Sequence, residues 1–235
     1  SIRLNQLLYG FYPETEIWSI NLSFVLIFVA ISPVLIDRVP FRKQLFIFTG
    51  LYPFLAGWLI FGWFALPPVA SQDIGGLALT LIIGITGIAF SLPIGILLAL
   101  GRTSNLPVIK ILSVLFIEFI RGVPLIALLF IASTMLNYFM PPGTTFDLLV
   151  RVLIMVTLFA SAYMAEVIRG GIAGIPKGQI EAASAAGLSY WKTMYLIVMP
   201  QVLKISIPGI VNTFIGLFKD TTLVLIIGMF DLLGM

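Results

Sequence analysis

The sequence predicts an all-α, polytopic transmembrane helical bundle. Of its 235 residues, 60% are hydrophobic and only 10% are charged. A soluble domain carries roughly 25% charged residues, so this chain has too little charge to cover a water-facing surface. Helices of roughly 20 apolar residues are long enough to cross a bilayer. Six segments meet that length: 17–36, 45–66, 74–100, 108–140, 147–169 and 193–218.

The fourth segment, 108–140, is too long for one straight helix, and it contains the sequence RGVP at 121–124. Proline removes a backbone donor and clashes with the preceding turn. We therefore predict either a helix broken at this point or a short helix followed by a complete span. The chain begins at Ser1 without a methionine and ends at Met235 within a hydrophobic run, so we expect it to be cut from a longer protein.

The composition excludes several kinds of chemistry. The chain has no cysteine and no histidine, which removes disulfides, thiol chemistry, Cys/His zinc sites and histidine acid–base catalysis. It also lacks a G-x-x-x-x-G-K-[ST] phosphate loop and a G-x-S-x-G nucleophile elbow. We therefore expect no metal or cofactor to be bound by this chain, and an intramembrane enzyme ranks far behind a transport function.

The distribution of lysine and arginine predicts the orientation of the spans. Cytoplasmic loops of membrane proteins carry an excess of these residues. Three loops hold them, whereas the alternate loops, 67–73 and 140–146, hold none. We predict that the three basic loops face the cytoplasm: 37–44 with Arg38, Arg42 and Lys43; 101–110 with Arg102 and Lys110; and 169–192 with Arg169, Lys177 and Lys192.

The basic loop before the sixth span contains a short helix of small residues at about 177–190. Pro176 precedes it, and Gly187 provides the permissive backbone that ends a helix. One interpretation is a cytoplasmic docking helix for a protein partner; the alternative is a helix lying on lipid. A lipid-lying helix shows a basic face opposite bulky apolar residues, whereas this one has an alanine face, which favours docking.

The spacing within this stretch resembles the EAA signature of permease subunits of bacterial ATP-binding-cassette (ABC) importers. The sequence Glu181-Ala182-Ala183 is followed after three residues by Gly187 and then by Ile197, Met199 and Pro200, with methionine where the family favours leucine. The resemblance implies that the helix is a coupling helix, which seats in a groove of a cytoplasmic ATPase. The implied coupling residues are Lys177, Gly178, Glu181, Ala182, Ala183 and Gly187.

Further motifs over 74–235 resemble the polar amino-acid permeases of the histidine/glutamine/arginine type, and especially the M-type permease group of general L-amino-acid importers. They occur in the order GLALTLIIGITGIAFSLPIGILLALGR, EFIRGVPLI, SAYMAEVIRGGI, IPKGQIEAA and FIGLFKDTTLV. The resemblance implies a type I ABC importer permease core with extra N-terminal helices. It divides the chain into N-terminal membrane-anchoring helices at 1–73 and a C-terminally truncated permease core at 74–235, with the coupling loop at 170–192.

The resemblance also implies a function and a set of partners. We predict a non-catalytic permease subunit of an ATP-driven amino-acid importer in the bacterial inner membrane, with ATP and Mg²⁺ held by a partner ABC ATPase dimer. A second permease subunit, forming a heterodimer, and an external solute-binding protein complete the assembly. The alternative is an ion-driven secondary transporter or a channel, which should show inverted repeats or rings of charge; the sequence shows neither.

Four ionisable residues within the apolar segments or directly after one are candidates for the substrate path. A charged side chain at the centre of a transmembrane helix costs about 2.5–3.5 kcal/mol on insertion scales. Such a residue is therefore expected to have a charged partner or a function. Glu118 and Arg121 are three residues apart and share a helix face. Arg121 would meet the carboxylate of an amino acid and Glu118 or Asp220 its ammonium group. Alternatively, Glu118 and Arg121 only pair with each other, or with the partner subunit, to fix the helix kink. Lys219 and Asp220 would form a gate or a substrate access site, or would mark the membrane boundary.

A second pair with the same spacing, Glu166 and Arg169, lies near the cytoplasmic end of its span. There we favour a structural role, because a charge pair at a helix end anchors that end beside the loop. In a coupling protein such an ion pair would brace the docking helix.

Overall fold

The computed structural model describes residues 2–36, 40–62, 66–135, 138 and 147–235, and helices make up most of this part of the chain. The chain divides into two compact units. The first combines Ser1–Ile82, Asp147–Leu149 and Val224–Met235, and the second combines Ile83–Phe146 and Val150–Leu223. The α-helices are α1 (Ile2–Tyr9), α2 (Ile17–Leu35), α3 (Arg42–Phe61), α4 (Gly76–Thr103), α5 (Pro107–Gly122), α6 (Leu125–Phe130), α7 (Leu148–Ala173), α8 (Lys177–Ala185), α9 (Tyr190–Thr193) and α10 (Met199–Asp220).

Five helical stretches in the described part are long and apolar enough to cross a membrane, in agreement with the predicted spans. They are Glu14–Pro33, Arg42–Phe61, Gly76–Thr103, Leu148–Ala173 and Tyr190–Ile227. The last extends beyond the predicted 193–218, because α9, a π-helical segment, α10 and a final 3₁₀ segment follow one another without a break.

The fourth predicted segment is broken where the sequence indicated. Helix α5 ends at Gly122, and the helix Leu125–Met135 leaves it at an angle of 101°. Pro124, which has no backbone N–H to donate, instead accepts hydrogen bonds at its carbonyl from the N–H groups of Ala127 and Leu128. The second half ends in a π-helical segment, Ile131–Met135, and π-helical turns occur frequently at functional sites.

A buried arginine fixes the end of this second half. The Arg151 guanidinium donates from Nη1 to the carbonyl oxygens of Ala132 at 3.2 Å and Ser133 at 2.6 Å. Only 8% of Arg151 is exposed. The last carbonyls of a helix lack intrahelical partners and carry the negative end of the helix dipole, so a cation is favourable there.

Within the first unit, polar side chains join α2 to α3. Tyr12 lies buried just before α2, and its hydroxyl donates to the carbonyl of Ile60 at 2.9 Å. Tyr52 donates to the carbonyl of Ser23 at 2.9 Å, and Thr49 donates to that of Ala30. Burial raises the pKa of Tyr12, so this phenol stays a neutral donor.

The start of α4, also in the first unit, is held by the last residues of the chain. The N–H of Gly76 donates to the carbonyl of Phe230 at 2.9 Å, and the N–H of Leu232 donates to Thr80 Oγ1 at 3.2 Å. Asp231, which lies between Phe230 and Leu232 in the chain, is buried, and its Oδ1 accepts a hydrogen bond from the N–H of Gly234. These bonds satisfy backbone groups that the first turn of α4 and the final segment would otherwise leave unpaired.

The core of the second unit lies where α4, α7 and α10 approach closely. Small residues make this approach possible. A Cβ added at Gly95 would lie 2.7 Å from Met164, and one added at Gly171 would overlap the Ser206 hydroxyl. The buried side chains of this core are Ala99, Met164, Ile168, Ile175, Val198 and Val202.

Candidate functional site

Helix α8 carries the predicted coupling residues, and most of them are exposed. Lys177, Gly178, Glu181 and Ala182 face the surface. Ala183 is 2% exposed and is the one buried residue of α8. Five of the nine residues of α8 are alanine, glycine or serine. Small side chains let another backbone approach closely, so this surface suits a protein contact.

The end of α8 is closed by a defined pair of hydrogen bonds around Gly187. This glycine has a φ of +74°, in the left-handed region. Its N–H donates to the carbonyl of Ser184 at 3.0 Å, and the N–H of Leu188 donates to that of Ala183 at 3.1 Å. This is the Schellman arrangement, which requires a left-handed residue at the turn. The prediction that Gly187 ends the helix is therefore confirmed.

A cluster of five charged side chains lies in the second unit, on α4, α5 and α7. Arg102 Nη1 donates to Glu118 Oε1 at 2.6 Å and lies 3.2 Å from Glu166 Oε1. Arg169 Nε donates to Glu166 Oε2 at 2.9 Å, which is the ion pair that the spacing in α7 suggested. Arg121 Nη1 is 4.0 Å from Glu166 Oε2. Glu166 therefore lies within 4 Å of three guanidinium groups.

The partner of Glu118 is not the residue that the i, i+3 spacing suggested. Glu118 pairs with Arg102, while the Arg121 guanidinium lies 5.5 Å from the centroid of the Tyr163 ring. Only residues 104–106 separate α4 from α5, and this short connection brings the last turn of α4 to the side of α5. From the sequence we predicted Arg102 only as a residue of a basic loop. Its place as the central cation of the cluster was therefore not predicted.

The cluster lies near helix ends rather than in the middle of a span. Arg102 is in the last turn of α4, and Arg169 is close to the end of α7 at Ala173. Glu118 is 54% exposed, whereas Glu166 is 16% exposed. Since α5 belongs to a bent pair, its charges do not have to sit at the centre of a straight transmembrane helix.

A cavity of about 280 Å³ lies between α7 and α10. Ligand pockets for drug-sized molecules measure roughly 300–1,000 Å³, so this one suits a smaller ligand. Asp220 lines it and makes no ion pair within the described residues, whereas the adjacent Lys219 does not line it. The lining residues are Phe159, Ala160, Tyr163, Asn212, Thr213, Gly216, Leu217 and Asp220.

Several predicted features lie wholly or partly outside the described residues. They are residues 37–39 of the predicted first basic loop, which include Arg38; the predicted loop 140–146; and parts of the predicted segments 45–66 and 108–140. In the part of the chain that the structure describes, no group of three acidic residues is placed to hold a metal ion.

In the described part of the chain, five helical stretches long and apolar enough to cross a membrane, together with a broken helix pair, define a multi-pass membrane protein. Comparison with known families agrees. Residues 91–234 match the family described as "Binding-protein-dependent transport system inner membrane component", and the chain belongs to this family.

Two curated relatives match almost the whole chain. The glutamate/glutamine/aspartate/asparagine transport system permease protein BztC of Rhodobacter capsulatus is 47% identical over 98% of this chain and 66% of its own length. The inner membrane amino-acid ABC transporter permease protein YhdY of Escherichia coli is 53% identical, over 98% of this chain and 63% of its own length. The chain thus spans about two thirds of the length of these relatives.

Solved structures show the same fold. A crystal structure of an amino acid ABC transporter with histidines is 32% identical, with a TM-score of 0.59, over 67% of this chain and 72% of that one. An inward-facing methionine ABC transporter, MetNI, has a TM-score of 0.53 at 22% identity over 66% of this chain and 71% of that one, which supports the fold alone.

Proposed function

We propose that this chain is the membrane-embedded permease subunit of an ATP-driven amino-acid importer. The observation that carries the proposal is α8, an exposed helix of small residues, capped at Gly187, in a member of this transport family. Glu181 makes no ion pair within the described residues, so its carboxylate is available to a basic residue of a partner.

In this proposal the chain performs no chemistry of its own. A cytoplasmic ABC ATPase dimer binds ATP and Mg²⁺, and its closure moves the membrane helices through the coupling residues of α8. An external solute-binding protein delivers the substrate. The EAA spacing supports the ATPase contact, and the family description supports the binding protein. Nothing in the comparisons favours an ion-driven transporter.

The cavity between α7 and α10 is the proposed place where the amino acid passes. Asp220, which lines it without an ion pair in the described residues, would meet the substrate ammonium group. Arg121 is not a lining residue, but its guanidinium lies 5.5 Å from the centroid of the Tyr163 ring, which lines the cavity, and it would meet the carboxylate at the edge of that ring. Lys219 does not line the cavity and would act as an access residue, while Glu118 would act through its arginine partner rather than by direct contact.

The substrates are proposed to be polar amino acids. The relatives named above are described as permease proteins of a glutamate/glutamine/aspartate/asparagine transport system and of an amino-acid ABC transporter. A glutamine transport system permease of Escherichia coli is also 34% identical, over 73% of this chain. We also propose a second permease subunit in the complex, forming a heterodimer, because a single core of this kind cannot surround a pathway alone.

The coupling proposal can be tested by reversing the charge of Glu181. The Glu181→Lys variant should fold and reach the membrane but lose about tenfold or more of ATP-dependent uptake, because a like charge facing a partner cation costs several kcal/mol. Uptake of labelled amino acids into vesicles containing the complete complex gives the measurement, and ATPase stimulation by the liganded binding protein gives a second one.

The matched control is Glu14→Lys, which makes the same charge reversal at an exposed residue outside α8. It should leave uptake and ATPase stimulation at the level of the parent protein. If Glu181→Lys retains both activities in full, α8 is not the contact through which the ATPase acts.

A further inference from the structure

The charge cluster holds more positive than negative groups, and Arg121 is the arginine without a hydrogen-bonded carboxylate in the described part of the chain. Three guanidinium groups, those of Arg102, Arg121 and Arg169, share two carboxylates, those of Glu118 and Glu166. Two of these arginines donate hydrogen bonds to carboxylate oxygens at 2.6 and 2.9 Å. Arg121 has no comparable bond among the described residues, since its contact with Glu166 is 4.0 Å long.

Arg102 is the residue that holds Glu118, and together with Arg169 it holds Glu166. Its Nη1 lies within 3.2 Å of an oxygen from Glu118 and of one from Glu166. Glu118 and Arg121 are neighbours on the same face of α5, so the two would pair with each other if Arg102 were absent. The position of Arg102 therefore decides whether Arg121 is neutralised by its own helix.

Arg121 lies beside the wall of the α7–α10 cavity. The Tyr163 ring lines this cavity, and the Arg121 guanidinium is 5.5 Å from the centroid of that ring. Tyr163 also packs at 4.9 Å from the ring of Phe159, another lining residue. A guanidinium held over an aromatic face keeps its N–H donors available at the ring edge, where a carboxylate can take two of them at once.

We propose that Arg102 is a positioning residue for carboxylate recognition: it holds Glu118, and with Arg169 it holds Glu166, so that Arg121 has only a 4.0 Å ionic contact with Glu166 and accepts the α-carboxylate of the transported amino acid. This inference rests on the proposed function, because it assigns a role within the same transport path. It predicts that removing Arg102 weakens recognition of the carboxylate specifically, and that removing Glu118 as well restores it, because Glu166 is still held by Arg169 at 2.9 Å.

The experiment measures carboxylate discrimination by the assembled complex. The full-length protein is reconstituted with its ATPase and second permease subunit in lipid nanodiscs, without binding protein. Radiolabelled L-glutamine is displaced by unlabelled L-glutamine and by L-glutamine α-amide, which lacks the carboxylate charge. The ratio of the two inhibition constants is compared for Arg121→Met, Arg102→Gln, Arg102→Lys and the double variant Arg102→Gln/Glu118→Gln.

The parent complex should prefer the carboxylate by about tenfold or more, as charge-assisted hydrogen bonds imply. Arg121→Met should abolish the preference, and Arg102→Gln should reduce it to about threefold or less, since a competing carboxylate occupies Arg121. Arg102→Lys keeps a single ammonium group, which can hold one carboxylate. Its preference for the carboxylate should therefore lie between those of the parent and Arg102→Gln. The double variant should return to within about twofold of the parent, because the competitor on α5 is gone.

The matched control is Lys110→Gln, which removes one positive charge from α5 outside the cluster and should keep the full preference. A parent complex that binds both compounds equally, an Arg102→Gln variant with unchanged preference, or a double variant worse than the single one would each overturn the inference. The last result would show that the cluster only holds the helices together. A parent complex that binds neither compound in nanodiscs would also overturn the inference. Failure of the complete complex, with its binding protein in vesicles, to take up L-glutamine with ATP would instead overturn the proposed function itself.

Discussion

Replacing Gly187 by alanine tests whether the end of α8 has to be closed for coupling. Gly187 has a φ of +74°, and a Cβ built on it meets no atom within 4 Å. The substitution therefore introduces no clash, and its whole effect comes from the backbone. A non-glycine residue in the left-handed region costs about 1–2 kcal/mol.

The left-handed backbone allows two hydrogen bonds, from the N–H of residue 187 to the carbonyl of Ser184 and from the N–H of Leu188 to that of Ala183. Straining this backbone therefore weakens both bonds. A penalty of one to two kcal/mol corresponds to roughly a 5- to 30-fold change in an equilibrium. Helix α8 has only nine residues, too few to be stable in isolation, so loosening its cap should loosen the helix. Coupling through α8 should fall as well.

The assay is hydrogen exchange of the peptide 177–190 in the assembled complex, with uptake measured on the same preparation. Gly187→Ala should raise exchange of the Leu188 amide by about 5- to 30-fold and lower uptake. Gly187→Asn should have a smaller effect, because asparagine tolerates the left-handed region.

Gly178→Ala is the matched control. Its added Cβ also meets nothing within 4 Å, but Gly178 is helical with an ordinary φ. Alanine is about 1 kcal/mol better than glycine within a helix, so exchange in α8 should slow slightly or stay unchanged. Parental exchange rates in Gly187→Ala would refute the argument that the left-handed turn holds α8 closed.

Two further changes probe the packing of the second unit. Gly171→Ala should lower the thermal midpoint of the purified protein through about 1–3 kcal/mol of overpacking, because its Cβ would overlap Ser206. In the control, Gly170→Ala, the added Cβ meets nothing within 4 Å, so the midpoint should stay unchanged. Equal midpoints for the two variants would contradict the close approach of α7 and α10. Arg151→Met should cost about 1–3 kcal/mol, because it leaves two helix-end carbonyls without their donor. A midpoint at or above that of the parent would show that burying the Arg151 charge costs more than its two bonds return.

Local features of the fold could be predicted from the sequence because their causes are local. Hydropathy over about 20 residues identifies a span whatever its neighbours are. The break between α5 and α6 follows from Pro124, and the end of α8 follows from Gly187, since each acts on the backbone next to it. The family motifs depend on spacing along the chain and are equally readable.

The candidate site was only partly predictable, because its contacts cross between helices. Spacing within α7 correctly suggested that Glu166 and Arg169 are close. The same argument within α5 suggested a pair between Glu118 and Arg121, but Arg102 of α4 takes Glu118 instead. An i, i+3 rule describes neighbours on one helix and contains no information about a third charge brought in from another.

The sequence by itself determined that the chain is a membrane protein, where its helices run and break, and that a capped helix of small residues interrupts its spans. Only the tertiary structure decided which charges pair, that Arg151 caps the second half of the broken helix, and that Asp220 and Tyr163 line a common cavity. The physical reason is range. Hydropathy and backbone preference act within a few residues, whereas ion pairs and cavities depend on side chains that the packing of α4, α5, α7 and α10 brings together from distant positions.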